Sequence, residues 1–279
     1  MSTAEGSGPP VRRASAEALR EFWWFGLKQA WACVFGGMML ALILASHIFW
    51  PDGAPLHRYD ALFLAALAIQ ALLLATRLES WDEARVIFIF HLTGTAMELF
   101  KTYAGSWIYP EEAFFRIGGV PLFSGFMYSA VGSYLARAWR LFEFRFTRYP
   151  PQWAAWALAV GAYVNFFAHH YIYDFRYVLI AASLALYGPC LVHYRPRGMR
   201  LRMPLALGFG LVALFIWLAE NIGTFGGAWV YPDQAGGWRM VSLTKLGSWY
   251  LLMILSFVLV TSVNRPRREP ASADPGAVP

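Results

Sequence analysis

Apolar residues run through this chain in long stretches that polar residues interrupt at intervals, and no stretch keeps a strict two-residue alternation. A helix of roughly 17–25 apolar residues spans about 30 Å of hydrocarbon. Eight such segments can be marked, over 27–49, 59–76, 85–104, 120–141, 152–172, 176–193, 203–223 and 241–262. The third carries His91 and Glu98, and the sixth is short and broken by Gly188 and Pro189. Barrel strands would be nearer ten residues long with alternating faces. The pattern therefore predicts an all-α polytopic membrane protein with about eight transmembrane helices.

Composition points the same way: the chain is 58% hydrophobic and 14% charged, outside the range of ordinary soluble domains. Basic residues collect at one side of the expected helices. They are Arg12, Arg13, Arg20 and Lys28, then Arg77 and Arg85, Arg137 to Arg148, Arg195 to Arg202, and Arg265 to Arg268. The intervening connections carry few, chiefly Arg58, Lys101, Arg116, Arg176 and Arg239. The positive-inside bias then predicts a multi-pass protein of the cell inner membrane with both termini cytoplasmic, whose partner is the lipid bilayer. The net charge of +6 follows from that topology and gives no signal for nucleic acid. Residues 1–21 and 265–279 are expected to be disordered cytoplasmic tails around a single transmembrane domain, 22–264. The first apolar run starts too late and is too long for a cleavable signal. Cys33 and Cys190 fall inside expected helices and imply no disulfide framework.

Two stretches of the chain nearly repeat each other. "ELFKTYAGSWIYPEE" at 98–112 aligns with "ENIGTFGGAWVYPDQ" at 220–234 at an offset of 122 residues. Glu98 meets Glu220, Gly105 meets Gly227, Trp107 meets Trp229 and Tyr109-Pro110 meets Tyr231-Pro232. The offset continues to Gly125 with Gly247 and Tyr128 with Tyr250, and backward to His47 with His169 and Asp52 with Asp174. Two four-helix repeats are expected, about 22–145 and 146–264. An even number of helices in each makes them parallel, related by an axis along the membrane normal.

Both motifs lie at extracytoplasmic helix ends. A carboxylate immersed there is costly and usually faces the protein interior, so Glu98 and Glu220 are the candidate acid–base pair. His91 shares a polar stripe with Thr95, Glu98 and Thr102, and His169 shares a face with Asn165. His91 and His169 join the candidate catalytic set. Trp107, Trp229, Tyr109 and Tyr231 could line a chamber and stabilise a cationic intermediate, although Trp and Tyr also gather at membrane interfaces regardless of function. Asn165, His47, Asp52, Asp174 and Arg116 complete the candidate binding residues. Arg116, Arg176 and Arg239 could hold a phosphate or lipid head group or neutralise Glu111, Asp174 or Asp233. No tight histidine pair suggests a metal, and the cofactor is left open. Phosphate loops, dinucleotide fingerprints and nucleophile elbows are absent from the sequence.

The segment "FHLTGTAMELFKTYAGSWIYPEEAFFRIGGVPLFSGFMYSAVGSYLARAWRLFEFRF" resembles the bacterial integral-membrane domain of unknown function 817 family, a resemblance covering about residues 20 to 265. It implies membership and no activity. Glu98, Gly105, Trp107, Tyr109 and Gly119-Val120-Pro121 are also similar, more weakly, to membrane carotenoid hydratases and heterodimeric-type lycopene cyclases. That similarity implies acidic residues that protonate or hydrate polyene double bonds. Pro110-Glu111-Glu112 matches the cyclases' Pro-x-Glu-Glu element only imperfectly. The expected function is a membrane-embedded acid–base enzyme acting on an isoprenoid-like or other lipid, or another hydrophobic small molecule. The alternatives are a proton- or cation-coupled transporter or channel, and a structural or partner-binding membrane protein.

Overall fold

The computed structural model describes residues 10–269. Its elements in chain order are α1 (Pro10–Ala32), α2 (Val34–Phe49), α3 (Arg58–Ala75), α4 (Trp81–Tyr103), strands β1 (Arg116–Ile117) and β2 (Val120–Pro121), and α5 (Phe123–Phe142). They continue with β3 (Arg145–Thr147), α6 (Gln152–Ala168), α7 (Arg176–Tyr187), β4 (Leu191–Tyr194), β5 (Leu201–Pro204), α8 (Leu205–Phe225), α9 (Lys245–Val263) and β6 (Arg267–Arg268). Helix occupies every one of the eight expected apolar segments, the first as the pair α1 and α2, which bend by 64° at Cys33. Among the described residues three helices, α3, α8 and α9, are long and apolar enough to cross a membrane alone, and the bent pair makes a fourth. Length limits α6 and α7, at 17 and 12 residues, and α4 carries Asp82, Glu83, Arg85, Glu98 and Lys101.

Two features depart from an all-α fold with loose tails. Connections after α5, between α7 and α8, and after α9 form one four-stranded sheet in the order β5-β4-β3-β6. β4 is antiparallel to β3 and β5, and β6 runs parallel to β3. Short strands such as Arg145–Thr147 leave no apolar run long enough to register against the helical background. Glu269 binds Arg145 at 3.5 Å and Arg200 at 3.1 Å, tying the segment after α9 to this sheet. Helix α1 also begins at Pro10, inside the stretch expected to be tail, while residues 1–9 and 270–279 lie outside the described residues. Its ordering has a local cause. The Glu21 carboxylate accepts hydrogen bonds from the backbone N–H groups of Arg197, Gly198 and Met199 at 2.9–3.1 Å, and Lys28 donates to the carbonyls of Leu141 and Arg195. Helix α1 therefore lies across the sheet end of the molecule.

The α4–α5 pair is the tightest packing in the first half. Ser80 and Glu83 form a reciprocal capping box that starts α4. Where α4 and α5 cross, glycines replace side chains. A Cβ on Gly125 would stand 2.5 Å from His91 Nδ1 and 2.6 Å from Thr95 Oγ1, and one on Gly132 would meet the Phe90 ring at 2.7 Å. The polar stripe of His91 and Thr95 is therefore a helix contact, and it fixes the rotation that turns Glu98 elsewhere.

Candidate functional site

At the helix ends opposite the sheet, α4 and α8 stop in the same way. Gly105 and Gly227 take φ of +71° and +66°, open to glycine at little steric cost. Ser106 N–H returns to the Lys101 carbonyl at 2.9 Å, and Ala228 N–H to the Gly223 carbonyl at 3.0 Å. The chains that follow meet: Ile108 and Val230, 122 residues apart, exchange both backbone hydrogen bonds at 3.0 Å. This bridge brings the two Trp-x-Tyr-Pro turns side by side.

Each turn then folds its tyrosine back onto its own glutamate, and the first turn adds its tryptophan. Glu98, 4% exposed, accepts from Trp107 Nε1 (2.7 Å) and Tyr109 Oη (2.5 Å) on Oε2, and from Tyr128 Oη (2.7 Å) on Oε1. Glu220, also 4% exposed, accepts from Tyr231 Oη on Oε1 and from Trp249 Nε1 on Oε2 at 2.6 Å. In both centres the tyrosine eleven residues on is a donor. In both, an indole N–H, which can only donate, occupies one carboxylate oxygen. A proton on either glutamate therefore belongs on Oε1, against a tyrosine hydroxyl able to accept it and pass on its own. Burial, and then the Glu98 charge, push Tyr109 well above its ordinary pKa, and burial followed by the Glu220 charge does the same to Tyr231. The Trp107 and Tyr231 rings meet edge to face at 5.9 Å, so the two centres touch.

Glu98, Glu220 and these aromatics line one cavity of about 1180 Å³, above the roughly 300–1,000 Å³ of ordinary small-molecule pockets. Its wall on α5 runs from Ser124 to Phe142, about 27 Å at 1.5 Å per residue. Its far end, formed by Phe22, Phe25, Phe146 and Met203, is apolar. Along α8, Leu211, Phe215, Leu218 and Ile222 belong both to the wall and to the exposed surface, so the cavity opens sideways.

The remaining candidates divide. His169 lines the cavity beside His170, their rings 4.3 Å apart, and Trp229 lines it while packing over Gly223. Asn165 and Asp174 are outside the wall but shape its rim, with Asn165 Nδ2 donating to Asp174 at 3.0 Å and Arg176 pairing with Asp174 at 3.1 Å. The Asp174 carboxyl is raised by burial, but Asn165 and Arg176 outweigh that and hold it below its ordinary range. His91 is away from the cavity, its ring 4.6 Å from Phe126. His47 sits against Phe225, and Asp52 and Arg116 are exposed. Glu111 is neutralised by Arg58 at 2.5 Å rather than by Arg116. Lys101 bonds His170 at 2.9 Å, leaving Glu98 to the aromatics. Among the described residues no three His, Cys, Asp or Glu side chains group as metal ligands.

Tyr128, Trp249, Lys101 and Lys245 also line the site. The repeat offset marked Tyr128 with Tyr250. On α9, however, it is Trp249, one position earlier, that reaches Glu220, while Tyr250 meets Ser183.

A solved structure titled as a cross-linked MvINS R77C trimer shares 14% identity with this chain, covering 68% of it and 98% of that chain at a TM-score of 0.45. The Bacillus subtilis (strain 168) protein YoaT, described as uncharacterized, is 42% identical over 252 residues, which is 90% of this chain and 95% of that protein. Residues 21–257 match the family described as protein of unknown function (DUF817), and the chain belongs to that family.

Proposed function

We propose that this protein crosses the bacterial inner membrane eight times, with both termini cytoplasmic, and acts as an acid–base enzyme on an isoprenoid-like or other lipid held in the cavity. The observation that carries the reading is the matched pair of centres. Two buried glutamates each meet a tyrosine and an indole, and both face one long apolar space. Glu98 and Glu220 are the proton-transfer groups, working through Oε1 and its tyrosine. The surrounding ring faces suit a developing positive charge. A chain-like substrate fits the length of the wall, and the sideways opening along α8 suits entry from the bilayer. The parallel four-helix repeat supports the same reading. It pairs α4 with α8 and α5 with α9 nearly residue for residue, and it makes Ile108 and Val230 counterparts across the axis.

The test compares the lipids of a deletion strain complemented with the wild-type protein or with Glu98→Gln. A lipid altered by deletion, restored by wild type and not by the variant, is expected. Unchanged lipid and pigment profiles on deletion would sink the proposal. A proton- or cation-coupled transporter is the second reading, favoured by a cavity as long as its helices. The uncharged lining of the far end speaks against an ion path. Proton-driven uptake in proteoliposomes decides between the two.

A further inference from the structure

We propose that the cavity mouth above the two glutamates is a binding site for the phosphate head of a lipid substrate, with Lys101 and Lys245 as its anion ligands. This rests on the reading of the cavity as a lipid site. Lys101 is 4% exposed, and the groups near its ammonium are nitrogens and a ring: His170 Nε2 at 2.9 Å, His169 Nε2 at 3.5 Å and the Phe166 ring at 4.1 Å. Lys245 is half-buried and lies over the rings of Tyr231 at 4.2 Å and Trp107 at 5.5 Å. Neither ammonium has a carboxylate within ion-pair distance among the described residues, and both line the cavity.

Three other sheltered cations have oxygen partners within the chain: Arg58 holds Glu111 and two carbonyls, Arg176 holds Asp174 and the Thr244 carbonyl, and Lys28 holds two carbonyls. Of the acids near the mouth, Glu98 and Glu220 are engaged by the aromatic donors and Asp174 by Arg176 and Asn165, while Asp233, which is exposed to solvent, lies beyond ion-pair distance of Lys245. An ammonium sheltered from water needs acceptors for three donor hydrogens, and burial without them is costly. A phosphate monoester or diphosphate offers a compact group of charged acceptors. Ser106, whose hydroxyl is 3.4 Å from His170 Nε2, and Ser248 stand beside the same space as further donors.

The apolar slot continues directly below, so the occupant has a head and a tail. With the head on the two lysines, the first bonds of the chain lie beside Glu98 and Glu220. This narrows the proposed substrate from hydrophobic lipids in general to phosphate-headed ones.

The experiment titrates the full-length protein, purified in an uncharged phosphate-free detergent, with farnesyl monophosphate, farnesol and inorganic phosphate, using calorimetry. Farnesyl monophosphate is expected to bind at least about tenfold more tightly than farnesol, the difference one charge-assisted hydrogen bond supplies. Lys101→Gln and Lys245→Gln should each remove about that factor while leaving farnesol binding in place, and Lys245→Arg should restore it. Equal binding of the two prenyl compounds overturns the inference. So does wild-type affinity in both glutamine variants, each checked for an unchanged melting temperature. Inorganic phosphate binding as tightly as the prenyl phosphate overturns the lipid source and leaves an anion site. Glu98→Gln separates this inference from the acid–base reading. If that variant complements the deletion strain fully while phosphate discrimination persists, the head-group site stands and the acid–base role falls.

Discussion

Glu98 and Glu220 have matching partners, yet the two turns that carry them are braced differently. The turn after α8 is clamped by the opposite half. Arg58, the first residue of α3, donates to the Gly226 and Gly227 carbonyls at 2.9 Å while holding Glu111, and Tyr59 adds a bond to Gly227. Arg176, the first residue of α7, does not return the gesture. It goes to Asp174 and to Thr244 within its own half, and the turn after α4 faces Lys101, His169 and His170 instead. One side of the rim is thereby locked by a half-buried ion pair, and the other is left basic and open to the cavity. The lesson is that near-identical local chemistry can serve a directional site when only one of two crossing braces is made.

The largest effects should come from the carboxylates. Glu98→Gln and Glu220→Gln are each expected to lower turnover by about 10²–10⁴, the usual worth of a positioned acid or base. Full activity in either variant alone would break the equivalence of the centres. Next, Arg58→Ala should destabilise the fold by about 2–4 kcal/mol, since it removes charge-assisted bonds and leaves Glu111 and two carbonyls without their cation. Arg176→Ala should cost less than about 1 kcal/mol, and equal losses in thermal melts would erase the difference between the braces.

The equivalent glycines sharpen the comparison further. Gly125→Ala pushes a methyl group into His91 and Thr95 and should cost about 1–3 kcal/mol. At Gly247 a Cβ meets the ends of the Arg176 and Ile180 side chains at 3.4 and 3.5 Å, both ordinary contacts, so alanine there should stay within about 0.5 kcal/mol. A pH-dependent effect concerns Asp174, whose carboxyl is held below its ordinary 3.8 in the folded state. Its contribution is present above that value and fades as pH falls below it. Asp174→Asn should therefore lower the melting temperature by roughly 1–3 °C at neutral pH and match wild type in strong acid.

Much of this arrangement was legible in the chain itself. The helices were, because long apolar runs register in the sequence whatever the tertiary contacts. Glu98, Glu220, Trp107, Tyr109 and Tyr231 stood out because the motif occurs twice. Periodicity misled at His91, which shares a polar stripe with Glu98 but spends it on the α4–α5 crossing. Trp249 escaped because the offset marks Tyr250, and nothing in spacing says which of two adjacent aromatics a helix turns inward. Lys101 reads as a connection charge and nothing in the sequence singles out Lys245, since only packing shows that the two lack carboxylate partners. Strands two to four residues long carry no periodic signal, and the sheet they build joins segments far apart in the chain.

The hydrogen-bonded pair between Ile108 and Val230 also has a consequence for biosynthesis. At about 5–20 residues per second, the ribosome makes the later residue roughly 6–24 s after the earlier one. Throughout that interval Glu98 can gather its own aromatics, but Trp107 has no Tyr231 to meet. The first half must wait with an unfinished rim, so any factor that shelters half-made proteins has a defined window in which to act on this one.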